Sequence, residues 1–153
     1  MNLGLAHDNS RFDKFNVGNQ FSEGSDLLVG GQGFFVMDGK KARFSPDLSG
    51  NLGMTYSFQI GDRGKLVPGL NTRFSSSYKT HNAPYFWSNQ DAYTVLDANV
   101  TWFSADQSIA VRAFLNNATD EAILTESTVY STSRAMVDYS APRQWGIRMS
   151  YRF

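Results

Sequence analysis

The chain has no cysteine, no long apolar run, no excess of either charge and no targeting sequence at its start. Each absence excludes something. Without cysteine there is neither a disulfide scaffold nor a cysteine–metal site, and the absence fits an oxidising envelope compartment. No run of about eighteen apolar residues occurs, so no transmembrane helix is expected. Lysines and arginines number 14 against 14 acidic residues, which removes the electrostatic case for nucleic acid or an anionic membrane surface as partner. The opening Met1-Asn2-Leu3-Gly4-Leu5-Ala6-His7-Asp8 has no basic start and no apolar core, so it is not a signal peptide.

What is present is alternation. From Trp145 the odd positions read Trp145, Ile147, Met149, Tyr151 and Phe153, and the even ones Gly146, Arg148, Ser150 and Arg152. A period of two puts these sets on opposite faces of a strand. The same pattern recurs upstream. Leu52, Met54, Tyr56, Phe58 and Ile60 alternate with Asn51, Gly53, Thr55, Ser57 and Gln59. Leu66, Pro68, Leu70, Thr72, Phe74, Ser76 and Tyr78 oppose Asn71, Arg73, Ser75 and Ser77. Ala92, Thr94, Leu96, Ala98, Val100 and Trp102 oppose Tyr93, Asp97, Asn99 and Thr101, and Ile109, Val111, Ala113 and Leu115 oppose Arg112 and Asn116. A weaker candidate spans residues 2–9, with Leu3 and Leu5 on one face.

No charged residue falls on the apolar face of the five regular strands: Lys65, Arg73, Asp91, Asp97, Arg112, Arg148 and Arg152 all lie opposite. Val67, Val95, Phe103 and Phe114 interrupt the polar face. Strands of ten or more residues, at ~3.3 Å each, reach about 33–40 Å. Tilted by ~45°, that is the height of a bilayer core. Aromatics make up 14% of a chain whose mean hydropathy is mildly negative, a pairing natural to a barrel with a lipid-facing outside and a polar lumen.

The connections alternate too. Short turns at 61–64 and 104–108 share one end, and long polar stretches at 10–47, 79–90 and 117–141 share the other. The first of these includes Gly30, Gly31 and Gly33, read as loop glycines because no strand-then-helix pattern surrounds them, and a possible hairpin at 26–37. Outer-membrane barrels keep short turns in the periplasm and long loops outside, which places the C-terminus in the periplasm. Phe58, Trp102, Tyr151 and Phe153 then form an aromatic girdle at the periplasmic rim, with Tyr78 and Trp145 at the outer one. The fold class expected is all-β: an antiparallel, up-and-down transmembrane barrel segment of about six strands, in one domain covering residues 1–153.

Several runs resemble a known family. Gly39-Lys40-Lys41-Ala42-Arg43-Phe44-Ser45-Pro46-Asp47-Leu48-Ser49, before a strand ending Tyr56-Ser57-Phe58, resembles the entry to a late strand of TonB-dependent outer-membrane receptors. Tyr93-Thr94-Val95-Leu96-Asp97-Ala98-Asn99-Val100-Thr101-Trp102 is similar to another of their strands. Asn117-Ala118-Thr119-Asp120-Glu121 stands where the family usually has Asn-Leu-Thr-Asp-Glu, with Ala118 departing from the leucine. The resemblance implies the last part of a 22-stranded barrel whose lumen holds a plug. It also implies uptake of a scarce ligand of the siderophore, cobalamin or carbohydrate class, powered through the plug by the TonB complex. Partners implied are outer-membrane lipid, the remaining strands and plug, and the barrel assembly machinery, with no cofactor. The aromatic terminal strand, Trp145, Ile147, Met149, Tyr151 and Phe153, looks like the signal that this machinery reads.

Neither plug nor TonB-contacting segment is expected within these residues. Six strands leave two open edges, and unpaired backbone groups in lipid cost several kcal/mol each, so the chain is expected to begin within a longer protein. The alternatives are a small stand-alone barrel with a structural or adhesive role, a non-functional truncated product, or a soluble sandwich that binds a ligand.

Catalysis is not expected. Ser75, Ser76, Ser77, His81 and Asp91 offer triad residue types without a nucleophile elbow, and Ser76 points to the lipid face. His7 and His81 lack ligand-spaced partners for a metal. Arg73, Asp97, Asn99, Arg112, Arg148 and Arg152 are lumen-facing candidates, either for a ligand path or as a hydrogen-bonded wall. Tyr85, Phe86, Trp87 and Tyr130 are external-loop candidates for gripping a ligand, or for covering the barrel mouth. The sequon at Asn117-Ala118-Thr119 carries no weight in a bacterial outer membrane.

Overall fold

The computed structural model describes residues 1–18, 28–29, 32–83, 85–131 and 134–153. Six strands form one antiparallel sheet: β1 (Asn2–His7), β2 (Leu48–Thr55), β3 (Lys65–Ser75), β4 (Tyr93–Phe103), β5 (Ile109–Asn116) and β6 (Gln144–Tyr151). Each pairs with its neighbours in chain order, an up-and-down meander. A short segment, Phe58–Gln59, resumes pairing with β3 after a break at residues 56–57. Strands β3 and β4 reach 11 residues, long for a sheet whose members usually run to about five or six.

Register brings the period-two sets of all six strands onto common faces. Trp102 lies opposite Leu66 on one side and Val111 on the other, and Val111 opposite Met149. Val100, Ala113 and Ile147 form the next row, and Ala98, Leu115 and Trp145 another. Leu3 faces Leu52 at the β1 edge. A slip of one residue at any pair would throw a whole strand's apolar set onto the wrong face. Nothing covers the face so formed among the described residues: Trp145 is 77% exposed, Ile147 73% and Met149 67%. A soluble sandwich would bury these side chains against a second sheet. Here the buried hydrophobic residues are few and mostly lie in the long connections, where Met37 and Ala83 pack with Phe12, Val17 and Tyr85.

The short turns match their expected positions. Residues Gly61–Arg63 make one turn of 3-10 helix, and Gly64 follows at φ 94°. A β-carbon on Gly64 would lie 1.9 Å from the Phe103 carbonyl oxygen, so only glycine fits this junction. The turn from β4 to β5 closes with Gln107 at φ 58°.

The long connections hold more structure than polarity suggested. Asn16–Gly18 and Leu28–Val29 both pair with Gln32–Val36, which extends the hairpin expected at 26–37; residues 26–27 and 30–31 lie outside the described set. Tyr78–Lys79 pairs with Asn89–Gln90, and Leu124–Ser131 with Arg134–Tyr139. Tyr78 accordingly departs from its expected place in an outer girdle. It lies beyond the end of β3, its hydroxyl donates to the Leu124 carbonyl at 3.3 Å, and its ring faces Tyr93.

Candidate functional site

The polar face carries an ordered set of side chains. An Arg73 guanidinium nitrogen is 3.5 Å from the Asp97 carboxylate, whose other oxygen accepts the Asn117 N–H at 2.8 Å. Asn99 lies across Gly69, where a β-carbon would meet the amide at 2.9 Å. Phe114 likewise lies over Gly146, and Lys65 places its ammonium 4.9 Å from the Phe103 ring centre. These pairings account for two of the interruptions, Phe103 and Phe114: an aromatic ring here either faces a cation or covers a glycine. Val95 is fully buried near the start of β4. Arg112 and Arg148 are direct cross-strand neighbours. Arg152 follows β6, and its backbone N–H donates to the Ser108 carbonyl.

The second group of candidates sits in the long connections. The rings of Tyr85 and Trp87 stack at 4.7 Å, with His81 beside both. The Nδ1 atom of His81 accepts the Ala83 N–H at 3.0 Å, and burial holds its pKa below the usual imidazole value. Phe86 points out to solvent, apart from this stack. Tyr130 falls in the 124–131 strand, with its side chain outside the described set. A cavity of about 550 Å³ lies between the first two connections, lined by Arg11, Lys40, Lys41, Asp47, Lys79 and Asp91 among others. Lys41 is ion-paired with Asp47 in its wall.

Buried hydrogen bonds join the connections to one another. Gln90 Oε1 accepts the Leu124 N–H at 2.5 Å, and the hydroxyls of Thr80 and Ser127 meet at 2.6 Å. The Phe44 N–H donates to the Lys79 carbonyl. Asn117, at φ 50°, organises the start of the third connection. Its Nδ2 donates to the carbonyls of Glu121 and Ala141, and its Oδ1 accepts the Glu121 N–H. Asp120 in turn holds both the backbone and the guanidinium of Arg143. Sequence reasoning did not assign Gln90, Thr80 or Ser127 any part. A usable signal existed only for Asn117, since asparagine tolerates the left-handed region better than most residues.

The triad residue types do not assemble. Ser75 Oγ donates to the Ser76 carbonyl, and Ser76 Oγ accepts the Leu48 N–H. His7 lies on β1 and His81 in the second connection, and no cluster of metal-ligating side chains occurs among the described residues.

Two solved structures share this arrangement. The ferric yersiniabactin uptake receptor FyuA of Yersinia pestis matches over 77% of the chain, with a TM-score of 0.67 at 18% identity. The unliganded ferric citrate transporter FecA matches over 76%, with a TM-score of 0.59 at 20% identity. The fold is that of a segment of an outer-membrane receptor barrel. The chain spans 18% of the length of each of these proteins. Both relatives in structure are a receptor and a transporter rather than enzymes. No family model matches the sequence, and no curated protein matches it significantly.

Proposed function

We propose that the chain is part of the barrel wall of a TonB-dependent outer-membrane receptor that takes up a scarce ligand of the siderophore, cobalamin or carbohydrate class. The observation that carries this reading is the uncovered apolar face: six strands in register present it without a second layer, and the same fold recurs in two uptake proteins. In this reading the apolar face meets lipid and the polar face lines the lumen. The short turns and C-terminus lie in the periplasm, and the long connections face outward. Arg73, Asp97, Asn99, Arg112, Arg148 and Arg152 are lumen residues of the wall. Tyr85, Phe86, Trp87 and Tyr130 belong to the ligand-facing mouth, where the stacked Tyr85 and Trp87 offer a rigid aromatic surface. The free edges of β1 and β6 pair with further strands of the same barrel. A plug within that barrel connects it to the TonB complex.

The test is uptake. Deleting the gene from its host should abolish accumulation of one labelled ligand from a panel covering the three classes, and restoring the full-length gene should recover it. Unchanged uptake of every panel member would sink the transport reading. The terminal strand has a separate role in this proposal: Trp145, Ile147, Met149, Tyr151 and Phe153 form the signal read by the assembly machinery. Removing Phe153 from the full-length protein should lower its outer-membrane yield several-fold, and an unchanged yield would refute that role.

A further inference from the structure

We propose that Arg112 and Arg148 form an oxyanion-binding site on the polar face. The two are directly opposed in the antiparallel pair of β5 and β6, which sets their β-carbons about 4.5–5.5 Å apart. Like charges so placed repel, and a sheet keeps them only at a cost in stability. No carboxylate among the described residues offsets that cost. Three ion pairs occur among the described residues and neither arginine is in any of them. The other polar-face residues of these strands, Ala110, Phe114, Asn116, Gln144, Gly146 and Ser150, carry no charge. On β4 the residue opposite Arg112 is Thr101. The acid of that strand, Asp97, is four residues further along, about 13 Å away at ~3.3 Å per residue, and is held by Arg73 and Asn117.

The space between the two arginines has a shape. A cavity of about 210 Å³ is lined by Arg112, Phe114, Asn116 and Arg148. Gly146 makes room for one wall, because the Phe114 ring occupies the position a β-carbon would take, 2.7 Å from it. Asn116 adds an amide. Two guanidiniums present planar forks of N–H donors that match the oxygens of a carboxylate or phosphate. One bound oxyanion turns a repulsive pair into an attractive triple. Its source is either a carboxylate side chain of a segment filling the lumen or a free oxyanion in the lumen water. The assignment rests on the polar face being the aqueous side.

The experiment uses the full-length protein in detergent micelles, with thermal unfolding read in chloride and in inorganic phosphate at equal ionic strength. Bare repulsion predicts that Arg148→Gln raises the unfolding midpoint or leaves it unchanged. A bridging anion predicts that it falls, in both media if the anion is a protein carboxylate and in phosphate if it is a free oxyanion. Arg112→Gln should lower the midpoint similarly, and the double variant should fall no further than either single one, because both arginines hold the same ion. Arg152→Gln, the control for losing an arginine from this face, should have little effect. A native midpoint that rises in phosphate, with no rise in Arg148→Gln, identifies a free oxyanion. A native midpoint indifferent to phosphate, together with the fall in Arg148→Gln, identifies a protein carboxylate. Unchanged or raised midpoints of the single variants in both chloride and phosphate, additive losses in the double one, or an equal loss in Arg152→Gln would overturn the site. Labelling of Ser150→Cys by a membrane-impermeant maleimide tests the aqueous face separately. If that cysteine stays unlabelled in folded protein, the lumen reading fails whatever the midpoints show.

Discussion

Replacing Gln90 by leucine should loosen the hairpin at 124–139 while leaving the barrel wall intact. The side-chain oxygen of Gln90 accepts the Leu124 N–H at 2.5 Å, and both residues are buried. Leucine fills a similar volume but has no acceptor, so the Leu124 N–H is left in a buried site without a partner. Leaving a buried donor unsatisfied costs about 1–3 kcal/mol. At ~1.4 kcal/mol per tenfold change, a cost of about 2 kcal/mol raises the opening constant of this hairpin by roughly 30-fold. The hairpin should stay docked for most of the time, because the Thr80–Ser127 hydroxyl pair and the Tyr78 bond to the Leu124 carbonyl remain. Amide hydrogen exchange on the full-length protein in micelles reads this directly, since local opening sets the exchange rate. Thr125→Ala is the control. It removes an exposed bond to the Asp138 carbonyl in the same hairpin, and surface changes of this kind usually stay within about 0.5 kcal/mol. If the Leu124 and Ser127 amides exchange in Gln90→Leu at the native rate, the connections do not stabilise one another as argued.

Three further outcomes follow from the geometry. Ala113→Arg puts a charge on the apolar face and should destabilise the folded barrel by about 2–4 kcal/mol near mid-membrane, whereas Ser150→Arg on the polar face should be tolerated; equal folded fractions by heat-modifiable gel mobility would contradict the face assignment. Gly146→Ala drives a methyl group into the Phe114 ring and should cost about 1–3 kcal/mol, with Phe114→Ala in the same chain recovering most of it in the same assay. Asp106, in the turn between β4 and β5, has its pKa lowered from 3.8 to about 2, chiefly by hydrogen bonds from Ser104 and Ser108. A depressed carboxylate stabilises the turn above its unfolded value and loses that contribution as pH falls through the folded one, so the turn should loosen between about pH 4 and about pH 2. Carbon-13 titration of the Asp106 carboxyl checks this, and a midpoint at the ordinary aspartate value would refute it.

The wall was legible in the sequence because one rule governs every residue in it. Leu66, Val100 and Ile147 share a face in the fold because each sits at the right parity, and parity is visible in a bare string of letters. The ends of the strands were less legible: Tyr78 continues the alternation of β3, yet it leaves the sheet and turns toward Leu124. The long connections were mostly hidden. Gln90 and Leu124 are 34 residues apart, and Thr80 and Ser127 are 47 apart. No local period marks such pairs. Within the polar face the sequence named Arg112 and Arg148 as lumen candidates, but their opposition depends on the register between two strands. Residue Asn117 was visible only as part of a motif, since its hydrogen bonds reach Ala141 across the third connection.

The bonds that tie the long connections together also bear on how such a surface can diverge. Phe44 leans on Lys79 through its backbone, while Gln90 and Thr80 reach into the 124–131 strand. A substitution in one connection is therefore judged by its fit to the other two. Drift at single positions is penalised, and the changes that succeed are matched sets. New recognition at this surface would come most easily from a matched exchange of the three connections, residues 8–47, 76–92 and 117–143, onto a wall whose own pairing rule is indifferent to what sits above it.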